Sequence, residues 1–218
     1  MGGQISALEV QKRNKDRVNV FIDGAFAFGL HRDAALSLYT GQTLTDAQIE
    51  ALQAQDTLSQ AYHQTLRWLG RRPRSIAEVR RYLEQKDIIP SAIDEIIQRL
   101  EDLHYVDDLE FARFWVRNRE EFNPRGRHAL RYELRQKGID STIIDTVLQD
   151  VEPTDSAHRA AEKKLRTLRH KDHAEIREKL YAFLVRRGFA YDVVRPVVDD
   201  LLETLGDDEN DENFGDEQ

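Results

Sequence analysis

The chain of 218 residues contains no cysteine, one methionine and only five prolines. Without thiols it can build neither a disulfide framework nor a thiolate metal site or nucleophile. No apolar stretch approaches the roughly twenty residues that cross a bilayer. Gln4, Glu9, Lys12 and Arg13 stand where a signal peptide would need an apolar run. A soluble, cytoplasmic protein is expected. Also missing are a phosphate-cradling glycine loop ending in Lys-Ser or Lys-Thr, a nucleophile elbow and a His-Glu-x-x-His pair. The chain therefore reads as a non-enzyme with no catalytic residues and no cofactor. Its seven histidines are scattered, and the close pair His170 and His173 sits beside Arg169 and Lys171, which disfavour a cation, so no metal site is expected. Asp107-Asp108 and Asp199-Asp200 read as a helix cap and a solvated helix end rather than as paired catalytic carboxylates.

A hydrophobic content of 40% supports a core, while a charged fraction of 33% and a mean hydropathy of -0.65 suit a thin helical array with much wetted surface. The formal net charge of -8 is unevenly spread. Residues Gly206 to Gln218 hold seven acids and no base, so the rest of the chain stands near -1. With Phe214 as its one large apolar residue, that tail is expected to be disordered. It is also placed to shield a basic surface.

The first thirty residues differ from all that follow. Val18, Val20 and Ile22 alternate with Arg17, Asn19 and Phe21 ahead of Asp23-Gly24, a hairpin signal. Phe26 to Leu30 can return as partner strand and Ile5 to Gln11 can add a third, giving a small N-terminal sheet over residues 1–31. From Arg32 onward the spacing is helical. Linking helices are expected over 32–57, one of them capped by Thr45 and turning Ile49 and Leu52 inward.

An internal repeat organises the remainder. Val79, Leu83, Ile88, Ile93, Ile97 and Leu100 recur 51 residues later as Leu130, Leu134, Ile139, Ile144, Leu148 and Val151. They recur 50 residues after that as Leu180, Leu184, Phe189, Val194, Val198 and Leu201. Between the paired helices stand Lys86-Asp87-Ile88, Lys137-Gly138-Ile139 and Arg187-Gly188-Phe189, each a basic last turn followed by a left-handed stop. Ser91 and Ser141 are the expected N-caps of the helices that follow. Leu58 to Leu69, Leu109 to Glu120 and Ala157 to Leu168 supply a first helix each. The fold expected is mainly all-α: three tandem three-helix repeats over 58–104, 105–153 and 154–205 forming an elongated curved array, with the acidic tail at 206–218.

Every repeat carries a basic stretch over its first and second helices. Arg67 to Lys86 sets seven bases against two acids, Arg113 to Lys137 eight against three, and Arg159 to Arg187 ten against four, for net charges of +5, +5 and +6. Single arginines of this kind commonly solvate a helix or pair with nearby acids. As a recurrent, arginine-dominated set they suit phosphate or an acidic protein groove. The contact candidates are Arg67, Arg71, Arg72, Arg74, Arg81, Arg117, Arg125, Arg127, Arg131, Lys163, Lys164 and Arg166. Trp68, Trp115, Phe111, Phe114 and Tyr132 lie among apolar residues and are expected to pack in the core.

The strings RPRSIAEVRRYL (Arg72 to Leu83), YVDDLEFARFWVRNR (Tyr105 to Arg119) and RGRHALRYELRQKGI (Arg125 to Ile139) resemble the RecX family, regulatory proteins of the RecA recombinase. Ile5 to Leu30 is similar to an extension that longer members carry. The resemblance implies a modular protein without enzymatic activity that binds in the groove of the RecA–DNA filament. Such a protein limits filament growth or promotes disassembly and lowers recombinase, ATPase and coprotease activity. It implies RecA as partner, DNA as a weak single- or double-stranded ligand, and a monomer. Two readings from the residues stay beside it. One is a helical-repeat protein that binds DNA independently of RecA. The other is an interaction scaffold that never touches nucleic acid. The helices beginning Ser91-Ala92-Ile93 and Ser141-Thr142-Ile143 lack the base-reading side chains that a groove-reading helix would need.

Overall fold

The computed structural model describes residues 2–168 and 170–213, the last eight as backbone alone. It divides into two compact units, Met1–Arg72 with Val79–Tyr105, and Pro73–Glu78 with Val106–Gln218.

The first unit opens with a sheet built from β1 (Gly3–Val10), β2 (Arg17–Ile22), β3 (Ala25–His31) and, after the short α1 (Arg32–Ala35), β4 (Thr43–Leu44). The strands are antiparallel in the order β3-β2-β1-β4. Asp23 and Gly24 both take positive φ, 49° and 85°, the backbone that a two-residue hairpin turn requires. Period-two alternation buries Val18, Val20 and Ile22 on one face with Ile5, Phe28 and Leu30. Helix α2 (Asp46–Leu69) covers that face with Ile49 and Leu52. Thr45 starts it through a reciprocal cap with Gln48.

Asp56 pins the helix to the sheet. Its buried carboxylate accepts from Arg17 Nη2 at 2.9 Å, the His31 backbone N–H at 2.7 Å and Gln60 Nε2 at 2.6 Å. A carboxylate out of water needs such donors, and three converge here. The unit is completed by α3 (Ile76–Glu84), whose residues from Val79 onward belong to it, and α4 (Pro90–Asp102).

Two features differ from the sequence reading of 32–57. Thr43 and Leu44 form a strand, because Gly3 and Gln4 of β1 offer them a free sheet edge. And α2 runs unbroken from 46 to 69, since no glycine or proline interrupts it.

The second unit holds α5 (Asp108–Phe122), α6 (Arg127–Gln136), α7 (Ser141–Gln149), α8 (Pro153–Leu165), α9 (His173–Arg186) and α10 (Tyr191–Asn213). Seventeen of the eighteen repeated apolar positions are buried and Ile88 is half-buried, so the register found in sequence is the core. All three stops take the left-handed turn: φ is 56° at Asp87, 80° at Gly138 and 82° at Gly188. In each, the next residue's N–H reaches back to a leucine carbonyl, as Ile139 does to Leu134 at 3.1 Å, while the left-handed residue bonds one turn position later.

The expected caps Ser91 and Ser141 are displaced. Helix α4 begins at Pro90, whose fixed φ suits the first turn, after Ile89 as cap. Helix α7 is capped by Asp140, which accepts from the Thr142 N–H and leaves Ser141 in the first turn. Helix α10 runs eight residues past Leu205 into the expected tail. Elongation from the turns anchored by the buried Leu201 and Leu202 needs no new nucleus. The rest of that tail, 214–218, lies outside the described residues.

Within the second unit, one contact recurs from repeat to repeat. Ser75 Oγ donates to the Lys137 carbonyl at 2.6 Å, and Gly138 passes so close to Ala77 that a Cβ there would stand 2.3 Å from the alanine's own. One repeat on, the Gly126 N–H donates to the Arg187 carbonyl at 2.9 Å, and a Cβ on Gly126 would stand 2.0 Å from the Gly188 oxygen. The stops at Gly138 and Gly188 thus each seat on the start of an earlier second helix. Glycine is needed there for close approach as well as for φ.

Candidate functional site

Basic residues in the first unit are largely on the surface. Arg67 is exposed in the last turn of α2, Arg71 and Arg72 are exposed in the turn after it, and Arg81 is exposed on α3. Arg80 is tied to Asp94 of α4 at 2.8 Å. Trp68 stacks on Tyr82, ring centroids 4.3 Å apart, and Arg99 lies 4.2 Å over the Tyr62 ring. The tryptophan is half-buried, as expected of a packing residue.

Residues of the second repeat are mostly engaged. Glu133 draws Arg119 Nε to 2.7 Å, Arg125 Nε to 3.7 Å and Trp115 Nε1 to 2.8 Å. Arg131 pairs with Asp145 across α6 and α7, the counterpart of Arg80 with Asp94 one repeat earlier. Arg127 donates to the carbonyls of Val151 at 2.7 Å and Gln149 at 3.4 Å, where the end of α7 concentrates negative potential. Lys137 reaches Glu78 at 2.8 Å. Arg74 is half-buried in the 73–78 segment. Arg117 is exposed along a cleft of about 770 Å³ walled by Val116, Val147 and Val151, which also holds Glu120, Glu121 and Asp150. Arg159 on that cleft is bound to Glu120 at 3.0 Å. Tyr132, expected in the core, is 65% exposed: it sits on the outward side of α6, one residue from Arg131.

The third repeat is different. Lys163 is exposed, Lys164 half-buried and Arg166 exposed at the end of α8, and none of them has an acid partner among the described residues. Lys163 and Lys164 share a recess of about 140 Å³ with Arg187, Asn123, Phe122 and Phe183, lined by no carboxylate among the described residues. Arg187 Nη1 donates to Asn123 Oδ1 at 2.6 Å and to the Pro124 carbonyl at 3.0 Å, both neutral acceptors. Its guanidinium lies 4.5 Å over the Phe183 ring. Burial, followed by the repulsion of Arg125, holds Arg187 below the usual guanidinium range. Sequence reasoning counted Arg187 in a helix stop and in the third basic stretch but not among the contact candidates. Its register with Lys86 and Lys137, in a segment poor in acids, is the signal that would have flagged it.

Among the described residues no three His, Asp or Glu side chains gather as metal ligands, and no helix is long and apolar enough to cross a membrane.

Repeated three-helix units of this kind make a helical-repeat protein, whose usable surface is spread over successive units rather than gathered in one pocket. Comparison with known proteins narrows the class. The RecX regulatory protein N-terminal domain matches residues 3–43, and the first, second and third RecX three-helix domains match 61–100, 107–148 and 150–198. The chain is 33% identical over 195 residues to "Regulatory protein RecX" of Bacillus pumilus, covering 87% of this chain and 74% of that one. It is 32% identical over 202 residues to that of Bacillus subtilis strain 168, covering 90% and 76%. A crystal structure of regulatory protein RecX superposes with a TM-score of 0.72 at 27% identity, over 91% of this chain and all of the other. RecX from Lactobacillus salivarius gives 0.60 at 28% identity, over 67% and 97%. This chain belongs to the RecX family of regulatory proteins.

Proposed function

We propose that this protein binds RecA and RecA–DNA filaments as a cytoplasmic monomer and inhibits RecA, lowering its ATPase, recombinase and coprotease activities. In this role it limits recombination and damage-response signalling. The observation that carries the reading is the set of bases without an acid partner among the described residues, found in every repeat: Arg67, Arg71 and Arg81, then Arg117, then Lys163, Lys164 and Arg166. Charges already neutralised internally add little to a polyanion contact, whereas exposed uncommitted ones release counterions when they meet phosphate. Several weak contacts on one chain then act together. Arg72 and Arg74 adjoin the first set. Arg125, Arg127 and Arg131 can join only by giving up an internal bond, so they are the weaker contributors.

The test is DNA-dependent ATP hydrolysis by RecA, measured with and without the full chain. Inhibition at substoichiometric protein is expected. No effect at equimolar protein, together with tight binding to naked DNA, would favour a DNA-binding protein that acts apart from RecA.

A further inference from the structure

We propose that the recess between α5, α8 and α9 seats one nucleotide of a single-stranded nucleic acid, its phosphate on Lys163, Lys164 and Arg187 and its base against Phe122. The proposal rests on the reading above only in taking DNA as a ligand; it adds where a strand sits and which form is preferred.

Three cations meet at a recess of about 140 Å³ that no acid among the described residues lines. That is unusual in this molecule, where the neighbouring bases are answered: Arg119 and Arg125 by Glu133, Arg131 by Asp145, Arg159 by Glu120 and Lys171 by Glu175. Arg187 is fixed by Asn123 and Pro124 through Nη1 alone, and these neutral acceptors orient the guanidinium without cancelling its charge. The walls are apolar, with Pro124 and Ala160 buried and Phe183 under the guanidinium, so an anion here is less screened than on open surface. Planar guanidinium and ammonium donors around a small volume match the tetrahedral oxygens of a phosphate.

Phe122 supplies the second part of the site. It lines the recess, ends α5 and is 62% exposed, a largely open ring beside three cations. Phosphate-binding charge next to an open aromatic face is the arrangement that holds a single strand, because only an unpaired base presents its face for stacking. A duplex keeps its bases stacked on each other, and Phe122 would gain nothing from it.

The test uses the full chain, a fluorescein-labelled oligothymidylate and anisotropy over a range of salt. Lys163→Ala with Lys164→Ala should weaken binding by about tenfold and lower the salt slope by about 0.7, the value for one single-strand phosphate. Phe122→Ala should weaken it by about tenfold with the slope unchanged. Lys12→Ala with Lys15→Ala, exposed near the sheet and removing the same charge, should change affinity by less than about twofold. All these substitutions except Lys164 lie on exposed side chains, and a urea transition run on each protein shows whether folding is kept.

Equal losses in the pocket pair and the control pair would overturn the site, as would duplex bound as tightly as the single strand with no effect of Phe122→Ala. Displacement of the oligonucleotide by millimolar inorganic phosphate at constant ionic strength would make it a free-phosphate site instead. If the pocket pair keeps oligonucleotide affinity but loses inhibition of RecA, the recess contacts protein: the inference fails and the proposed function stands. If oligonucleotide binding depends on the pocket but the wild type leaves RecA unaffected, the inference stands and the proposed function fails.

Discussion

The second and third repeats share one apolar register and nearly the same net charge, yet they offer a partner different amounts of charge. Two positions contribute to this. Glu133 of the second repeat, which gathers Arg119, Arg125 and Trp115, corresponds to Phe183 in the third, and Asp145, which holds Arg131, corresponds to Arg195. Where the second repeat has acids, the third has a ring under Arg187 and another base. Net charge along a segment therefore does not measure available charge. What decides is whether an acid stands within reach once the helices are packed.

The comparison can be broken first at its shared part. Leu134→Ala and Leu184→Ala occupy equivalent, fully buried sites, and each should cost about 2–5 kcal/mol in urea unfolding. A loss confined to one would mean that the two cores are not equivalent. Gly126→Ala, which drives a Cβ into the Gly188 carbonyl, should cost about 2–3 kcal/mol, most of it in the contact between the second and third repeats. Hydrogen exchange at α6 and α9 would show the loosening, and unchanged protection there would place the strain elsewhere.

The difference between the repeats is sharpened by Glu133→Gln. Losing the shared carboxylate should destabilise the second repeat by about 1–2 kcal/mol. At the same time it frees Arg119 and Arg125, so affinity for single-stranded DNA should rise about threefold at low salt. Lower affinity would show that Glu133 positions these arginines for the ligand rather than withholding them.

The smallest effect concerns pH. Hydrogen bonds from Lys171 and then Lys179 hold the Glu175 carboxyl down to about 2. A carboxyl lowered in the folded state contributes stability fully above its ordinary range and loses it as pH falls toward the folded value. Carbonyl NMR should find Glu175 still ionised at pH 3.5, and its contribution constant above pH 5. A midpoint near 4.5 would show that the two lysines do not hold it.

Much of the fold was legible from spacing alone. Apolar residues 50 and 51 apart, the basic turns before Gly138 and Gly188, and Asp23-Gly24 each encode a local geometry, and local geometry survives packing. Thr45 and Asp107 also cap where their residue types suggest. The misses needed partners distant in sequence. The strand at Thr43 exists because β1 leaves an edge there, and the Asp56 clasp takes Arg17 and the His31 N–H from strands far back in the sequence, with Gln60 alone of these donors close by on α2. Ser91 and Ser141 lost their capping positions to Ile89 and Asp140 within two residues, the ordinary uncertainty of a helix boundary. Of the candidate site, the basic stretches were visible, but sequence could not separate Arg131, held by Asp145, from Lys163, which has no acid partner among the described residues.

The central claim is that bases without acid partners carry the interaction with RecA. Inhibition of RecA ATP hydrolysis on single-stranded DNA tests it most directly, comparing Lys163→Ala/Lys164→Ala/Arg166→Ala with Arg125→Ala/Arg127→Ala/Arg131→Ala. The account predicts that the third-repeat set raises the half-inhibitory concentration by about tenfold or more, while the second-repeat set, corrected for any loss of folded protein, changes it by less than about threefold. Equal losses, or the larger loss in the second repeat, would contradict it.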